Sequence, residues 1–192
     1  MNNSNVTLYD ALKSSYGNKQ SRDELRRNGY NYDSMLSNHN QQVWYNPNKQ
    51  KLLFNVAGTH NLSDVGTDVY LALGKLKDTN RYKEASRVLD EAKRKYNVNN
   101  ATISGHSLGS TIGRYIANKD DKFYGLDGGY TLFQPTRDSG GNQHHYRSKG
   151  DVVSLLGANA THMKTLKSKS SPFDILGAHN IDNIKDENIF VD

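Results

Sequence analysis

The sequence predicts an α/β domain in which a mainly parallel sheet is covered by helices on both faces. Three observations predict it. Short β-prone apolar runs alternate with amphipathic helical stripes along the chain. A Gly-x-Ser-x-Gly pentapeptide, Gly105-His106-Ser107-Leu108-Gly109, joins one such run to one such stripe. The chain has 192 residues, a length that suits one domain with a real core.

The elements follow in order. Residues 1–42 are polar, with sparse anchors at Leu8, Leu12, Tyr16, Leu25, Tyr30 and Leu36. They are expected to form one or two short helices or turns, an N-terminal covering arm ahead of a main domain at 43–192. Gln42 to Tyr45 and Lys51 to Ala57 read as a hairpin around the Asn46-Pro47-Asn48 turn. Asp64 to Lys77 reads as a helix, with Val65, Val69, Leu73 and Leu76 at helical spacing and Ser63 or Asp64 as cap. Arg81 to Tyr96 is the clearest helix. Tyr82, Ala85, Leu89, Ala92 and Tyr96 form its apolar stripe, and Asp90–Arg94 and Glu91–Lys95 pair on its wet face. Ala101 to Ser104 is a short strand leading into the pentapeptide and a helix to Ala117. Tyr130 to Phe133 and His145 to Ser148 read as further strands. Ala158 to Pro172 reads as loop or short helix, and Ile189 to Val191 as a terminal strand.

Composition excludes several kinds of chemistry. There is no cysteine, which removes disulfide scaffolds, thiolate metal sites and thiol nucleophiles together. No apolar run reaches the ~18–20 residues of a membrane span. The N-terminal MNNSNVTLYDALKSS lacks the apolar stretch of a signal peptide. An intracellular location is therefore expected, or a virion-associated one if the source is viral. The net charge of +5 is modest, and its cations are scattered over Arg22, Arg26 and Arg27, Lys93 to Lys95, and Lys164, Lys167 and Lys169. Nothing resembles an RNA-binding aromatic motif, a zinc finger or a recognition-helix pair, so nucleic acid is not an expected partner.

The chemistry concentrates at the pentapeptide. Gly-x-Ser-x-Gly between a strand and a helix describes a sharp turn that holds a serine in a strained conformation with its hydroxyl presented at a helix N-terminus. Glycines flank it because side chains there would collide with strand and helix. Ala101 to Ser104 before it, and Leu108, Ile112, Tyr115 and Ile116 after it, supply the required context. Serine needs a base, and the base needs an orienting carboxylate. In turns of this kind the chain order is Ser, acid, His. The downstream histidines are His144, His145, His162 and His179. The downstream acids include Asp120, Asp121, Asp127, Asp138, Asp151, Asp174 and Asp182. Asp151 follows a strand and His179 lies in a late Gly-Ala-His-Asn loop, so these two lead. The order alone leaves the other pairs open.

The string TISGHSLGSTIGRYIA resembles the elbow of the class 3 lipases. KLLFNVAGTHNLSDVGTDV is similar to that family's strand ending in Phe-Arg-Gly-Thr or Ser. YTLFQPTRDSGGN is similar to its Thr-Phe-Gly-Gln-Pro-Arg segment, HYRSKGDVVSLLG to its Tyr-Arg…Asp-x-Val segment, and GAHNIDNI to its terminal histidine segment. These partial matches occur in the family's order over roughly residues 45–190. The chain's small size also resembles the compact lipase-like proteins of some DNA viruses.

The resemblance implies an α/β-hydrolase fold with a minimal cap. It implies a serine acylhydrolase, a lipase or phospholipase, cleaving the carboxylic esters of lipids through an acyl-enzyme. Ser107 would be the nucleophile, Asp151 the acid and His179 the base. The backbone N–H groups of Thr59 and Leu108 would form the oxyanion hole, within an elbow shaped by Gly105, His106 and Gly109. No metal or other cofactor is implied. Three departures stand out. Ala57 occupies the position of the family's arginine, so any charge that residue supplies must come from elsewhere. Ser110 replaces a glycine. The short span from Asp151 to His179 leaves little room for a large cap. Tyr70 and Leu71, in a segment that often forms a lid, read more plainly as core. Met163 and Leu166 among three lysines could touch an anionic membrane surface or line a solvated loop. The alternatives are a non-catalytic membrane- or nucleic-acid-binding module on the same scaffold, and a small-ester esterase or thioesterase.

Overall fold

The computed structural model describes residues 5–59, 75–129, 142–151, 163–167 and 175–192, apart from the side chains of Ile175 and Leu176. The chain opens with two short helices, α1 (Leu8–Ser15) and α2 (Lys19–Arg27). The side chain of Thr7 caps α1 by accepting from Asp10 N, and that of Asn18 caps α2 by accepting from Ser21 N. Strands β1 (Asn31–Tyr32), β2 (Gln41–Asn46) and β3 (Lys51–Val56) follow. The β2–β3 hairpin is antiparallel in the register Gln41↔Val56 to Asn46↔Lys51. Its turn is held by Asn46 Oδ1, which accepts from the backbone N–H groups of Asn48 and Lys49.

Helix α3 (Asn80–Tyr96) is capped by Thr79 and buries Ala85, Val88, Leu89 and Ala92, close to the expected stripe. It stops at Asn97, which takes the left-handed conformation at φ 52°. Then come β4 (Thr102–His106), α4 (Leu108–Ile116), β5 (Lys122–Leu126), β6 (Gln143–Ser148), β7 (Met163–Leu166) and a single turn, α5 (Ile175–Ala178). Among the described residues the sheet has seven strands in the order of the chain, and β3 to β7 are all parallel.

This order explains the layers. Right-handed crossovers that always step in one direction place their helices on one face. Leu52, Phe54, Val56 and Ile103 point to that face and pack with Val88, Leu89 and Ala92 of α3 and Ile112 of α4. The alternate residues Trp44 and Leu53 point the other way. They pack with Leu8 and Leu12 of α1, Leu25 of α2, and Ile181, Ile184 and Val191 near the end of the chain. Among the described residues, the second face is covered by segments from both ends of the chain.

Some expectations change. β5 lies where no strand was read, while Tyr130 to Phe133 is outside the described residues. β5 is short and carries Gly125, which weakens its strand pattern. β7 lies where a loop or short helix was expected. It is a four-residue edge strand without alternation, held by its pairing to β6. The terminal strand reduces to one antiparallel bridge, Thr7↔Phe190. Most of the Asp64–Lys77 helix, including Tyr70 and Leu71, is outside the described residues; its end is a 3-10 turn, Leu76–Asp78. Among the described residues no helix is long and apolar enough to cross a membrane.

Candidate active site

The pentapeptide forms the turn its sequence predicts. β4 ends at His106, α4 starts at Leu108, and Ser107 between them has φ 57° and ψ −127°. A non-glycine residue in such a region stores about 1–3 kcal/mol of strain, held by its surroundings. Here Ser107 N donates to Leu126 O at 2.9 Å, tying the turn to the neighbouring strand. The glycines permit close packing. A Cβ on Gly109 would lie 2.2 Å from Val56 O, and one on Gly105 would lie 2.4 Å from Gly109 O. Helix α4 therefore presses directly on the end of β3.

Asp151 follows β6 through the Lys149-Gly150 turn, in which Gly150 has φ 88°. His179 follows α5. The two meet at 2.7 Å between His179 Nδ1 and Asp151 Oδ1, with both side chains buried. A carboxylate oxygen accepts, so Nδ1 carries the hydrogen and Nε2 keeps its lone pair. Among the described residues His179 Nε2 has no hydrogen-bond partner, and neither do the buried Ser107 Oγ and Thr59 Oγ1. Buried unpaired polar atoms are rare in folded proteins, and they gather at sites of function.

His106 is placed with equal definition. Its Nε2 lies 3.0 Å from His179 O and its Nδ1 lies 3.0 Å from Tyr16 Oη. A carbonyl can only accept, so Nε2 carries the hydrogen. Nδ1 then accepts from the Tyr16 hydroxyl, whose oxygen accepts from Gly58 N at 2.8 Å. Burial, with the adjacent His179 adding to it, holds the His106 pKa well below the usual imidazole value, in keeping with this neutral tautomer. Burial pushes the Tyr16 hydroxyl up to about 12. On the other side of the same loop, Arg81 of α3 donates from Nη2 to Ala57 O at 2.7 Å. A positive charge therefore reaches this loop from another element, although Ala57 supplies none.

A second carboxyl lies close by. Asp127 follows β5 at φ 50° and accepts from Ser148 N at 2.6 Å and Ser148 Oγ at 2.9 Å. Burial and then the charge of Asp151 push its pKa up to about 7. One atom each of His106, Asp127 and His179 lie within 4.8 Å of one another, a spacing that could admit a metal ion. Both nitrogens of His106 and both oxygens of Asp127 already have protein partners, however, so these atoms are engaged in hydrogen bonds. A cavity of about 290 Å³ opens beside it, lined by Thr59, His106 and His179 with Tyr16, Lys13 and Ile181. Lys13 bonds Asp182 at 2.8 Å, so the charge at this opening is paired.

The structure thus brings Ser107, His106, Thr59, Leu108, Asp151 and His179 to one end of the sheet. The other downstream histidines have different settings. His144 stacks on Tyr124, and His145 contacts the Gln143 side chain. His162, Asp138 and Asp174 are outside the described residues. Asp121 bonds Lys93 and Ala101 N. The sequence leaves Asp127 among the open acid candidates and gives Tyr16 and Arg81 no role in the site. A strand read at 122–126 would have put Asp127 at a strand's C-terminal end. No local pattern marks the other two.

No protein-family model matches the chain, and no curated protein matches it. Solved structures do. A point variant of MDLA, a class 3 lipase from Penicillium cyclopium, superposes with a TM-score of 0.53 at 12% identity, over 86% of this chain and 77% of that one. The Lip2 lipase of Yarrowia lipolytica superposes with a TM-score of 0.45 at 15% identity, over 67% of this chain and 60% of that one. The fold is a lipase-like α/β-hydrolase fold.

Proposed function

We propose that the protein is a serine-dependent carboxylic ester hydrolase acting on lipid esters. The observation that carries this reading is the buried His179–Asp151 pair. Among the described residues it leaves the His179 Nε2 lone pair unpartnered at the same end of the sheet as a strained serine with an unpartnered hydroxyl. His179 takes the Ser107 proton as the hydroxyl oxygen attacks the ester carbonyl. Asp151 keeps the Nδ1 hydrogen in place and stabilises the imidazolium that forms. The N–H groups of Thr59 and Leu108 receive the oxyanion, and such a donor contributes about 3 kcal/mol to lowering the barrier. His179 returns the proton to the leaving alcohol. Water then attacks the acyl-enzyme by the same route in reverse.

A panel of short p-nitrophenyl esters, a triglyceride emulsion and phospholipid vesicles tests the reading. Hydrolysis of at least one lipid ester is expected, with a loss of about a thousandfold or more in Ser107→Ala. Short esters alone would point to a small-ester esterase. No turnover on any substrate would leave a binding module on a hydrolase scaffold. Faster hydrolysis on anionic than on zwitterionic vesicles would support a surface contact through Lys164 of β7 and Lys167 just after it.

A further inference from the structure

One peptide group lies at the centre of the contacts around the elbow. It joins Ala57 to Gly58, just past the end of β3. Its oxygen accepts from the Arg81 guanidinium at 2.7 Å, and its N–H donates to Tyr16 Oη at 2.8 Å. A peptide group is planar, so bonds at both ends fix its rotation. Arg81 also reaches the oxygen of the next peptide, Gly58 O, at 3.4 Å. The N–H of that peptide belongs to Thr59.

Stability alone does not account for Arg81. Among the described residues no carboxylate lies within ion-pair distance of it, its Nε has no partner, and its guanidinium donates to the two carbonyls. Burying this cation costs more than the charge of nearby Glu84 returns, since burial still lowers the Arg81 pKa. Its placement makes sense if the charge serves the adjacent loop. A cation bonded to a carbonyl polarises the peptide and strengthens the N–H at its other end. Tyr16 completes the arrangement from the opposite side and continues through His106 to the carbonyl of His179. One hydroxyl thereby links the oxyanion loop, the elbow and the residue that carries the base.

We infer that Arg81 and Tyr16 are positioning residues that clamp the Ala57–Gly58 peptide from its two ends and so hold the Thr59 N–H toward the oxyanion. This rests on the ester hydrolase reading above.

The test is a double-mutant cycle on the full chain with p-nitrophenyl butyrate. Rates are expressed per serine titrated by a fluorophosphonate, so that unfolded molecules do not count. Tyr16→Phe and Arg81→Met are each expected to lower kcat per titrated serine about tenfold or more, with KM within about twofold. Because both residues hold one peptide, the double variant should fall well short of the product of the two losses. Arg81→Lys keeps the charge and should restore part of the rate. If Arg81→Met does not fold, Tyr16→Phe, Arg81→Lys and their combination carry the same test. Unchanged kcat per titrated serine in Tyr16→Phe and Arg81→Lys would overturn the inference, since a merely structural role would lower only the number of titratable sites. Losses that multiply would also overturn it, by showing that the two residues act separately. A wild-type protein with neither turnover nor a titratable serine would overturn the ester hydrolase reading itself.

Discussion

Asp127 is a buried carboxyl with two bonds to Ser148 and no assigned part in proton transfer. Its consequence is a pH dependence of stability. Its ordinary pKa is 3.8 and its folded value is about 7, raised first by burial and then by Asp151. Between those values the folded state holds a proton that the unfolded state has lost, so this group makes stability fall as pH rises from about 4 to about 7. Asp127→Asn keeps the shape and can still accept from Ser148 N. In urea titrations its advantage over the wild type should be larger at pH 8 than at pH 5, by on the order of 1 kcal/mol or more. Equal differences at the two pH values would contradict this. At this scale the sequence shows chemistry that comes in motifs. Ser107 stands in a pentapeptide, and Asp151 and His179 follow it in the order the chemistry needs. Tyr16 and Arg81 reach the site from 90 and 23 residues away in the chain, and no local spacing encodes such contacts.

At the scale of elements, the elbow depends on how closely α4 approaches the end of β3. Gly109→Ala would set a methyl 2.2 Å from Val56 O and 2.5 Å from Ala57 O, both rigid backbone. Helix or strand must shift. Overpacking of this kind costs about 1–3 kcal/mol, and the shift would move Ser107 relative to Thr59. The expected result is a lower melting temperature together with a loss of kcat per titrated serine. Unchanged melting and rate would show that the elbow has slack that its packing does not suggest. The elements legible in the sequence were those with long periodic signals. α3 presents its apolar stripe over 17 residues, and the β2–β3 hairpin has a turn with its own chemistry. β5 and β7 have five and four residues, and pairing with neighbouring strands decides them rather than their own pattern.

At the scale of the molecule, the sheet progresses in one direction, and helices α3 and α4, which follow β3 and β4, pack on one face. The ends of the chain cover the other face. Leu8 N donates to Ile189 O, Val191 N to Val6 O, and Val6 N to the Asp192 side chain. This arrangement puts α1 under β3 and β4, with Tyr16 at its C-cap beside the elbow. A two-face architecture was legible from alternating strands and helices. Which segments form each face depends on strand order, which alternation does not specify. Activation of the serine by His179 is tested most directly by intact-mass analysis after reaction with a fluorophosphonate. One adduct located on Ser107, absent in Ser107→Ala and formed at least about a hundredfold more slowly in His179→Ala, is the predicted result. No adduct on Ser107, or one formed as fast without His179, would contradict it.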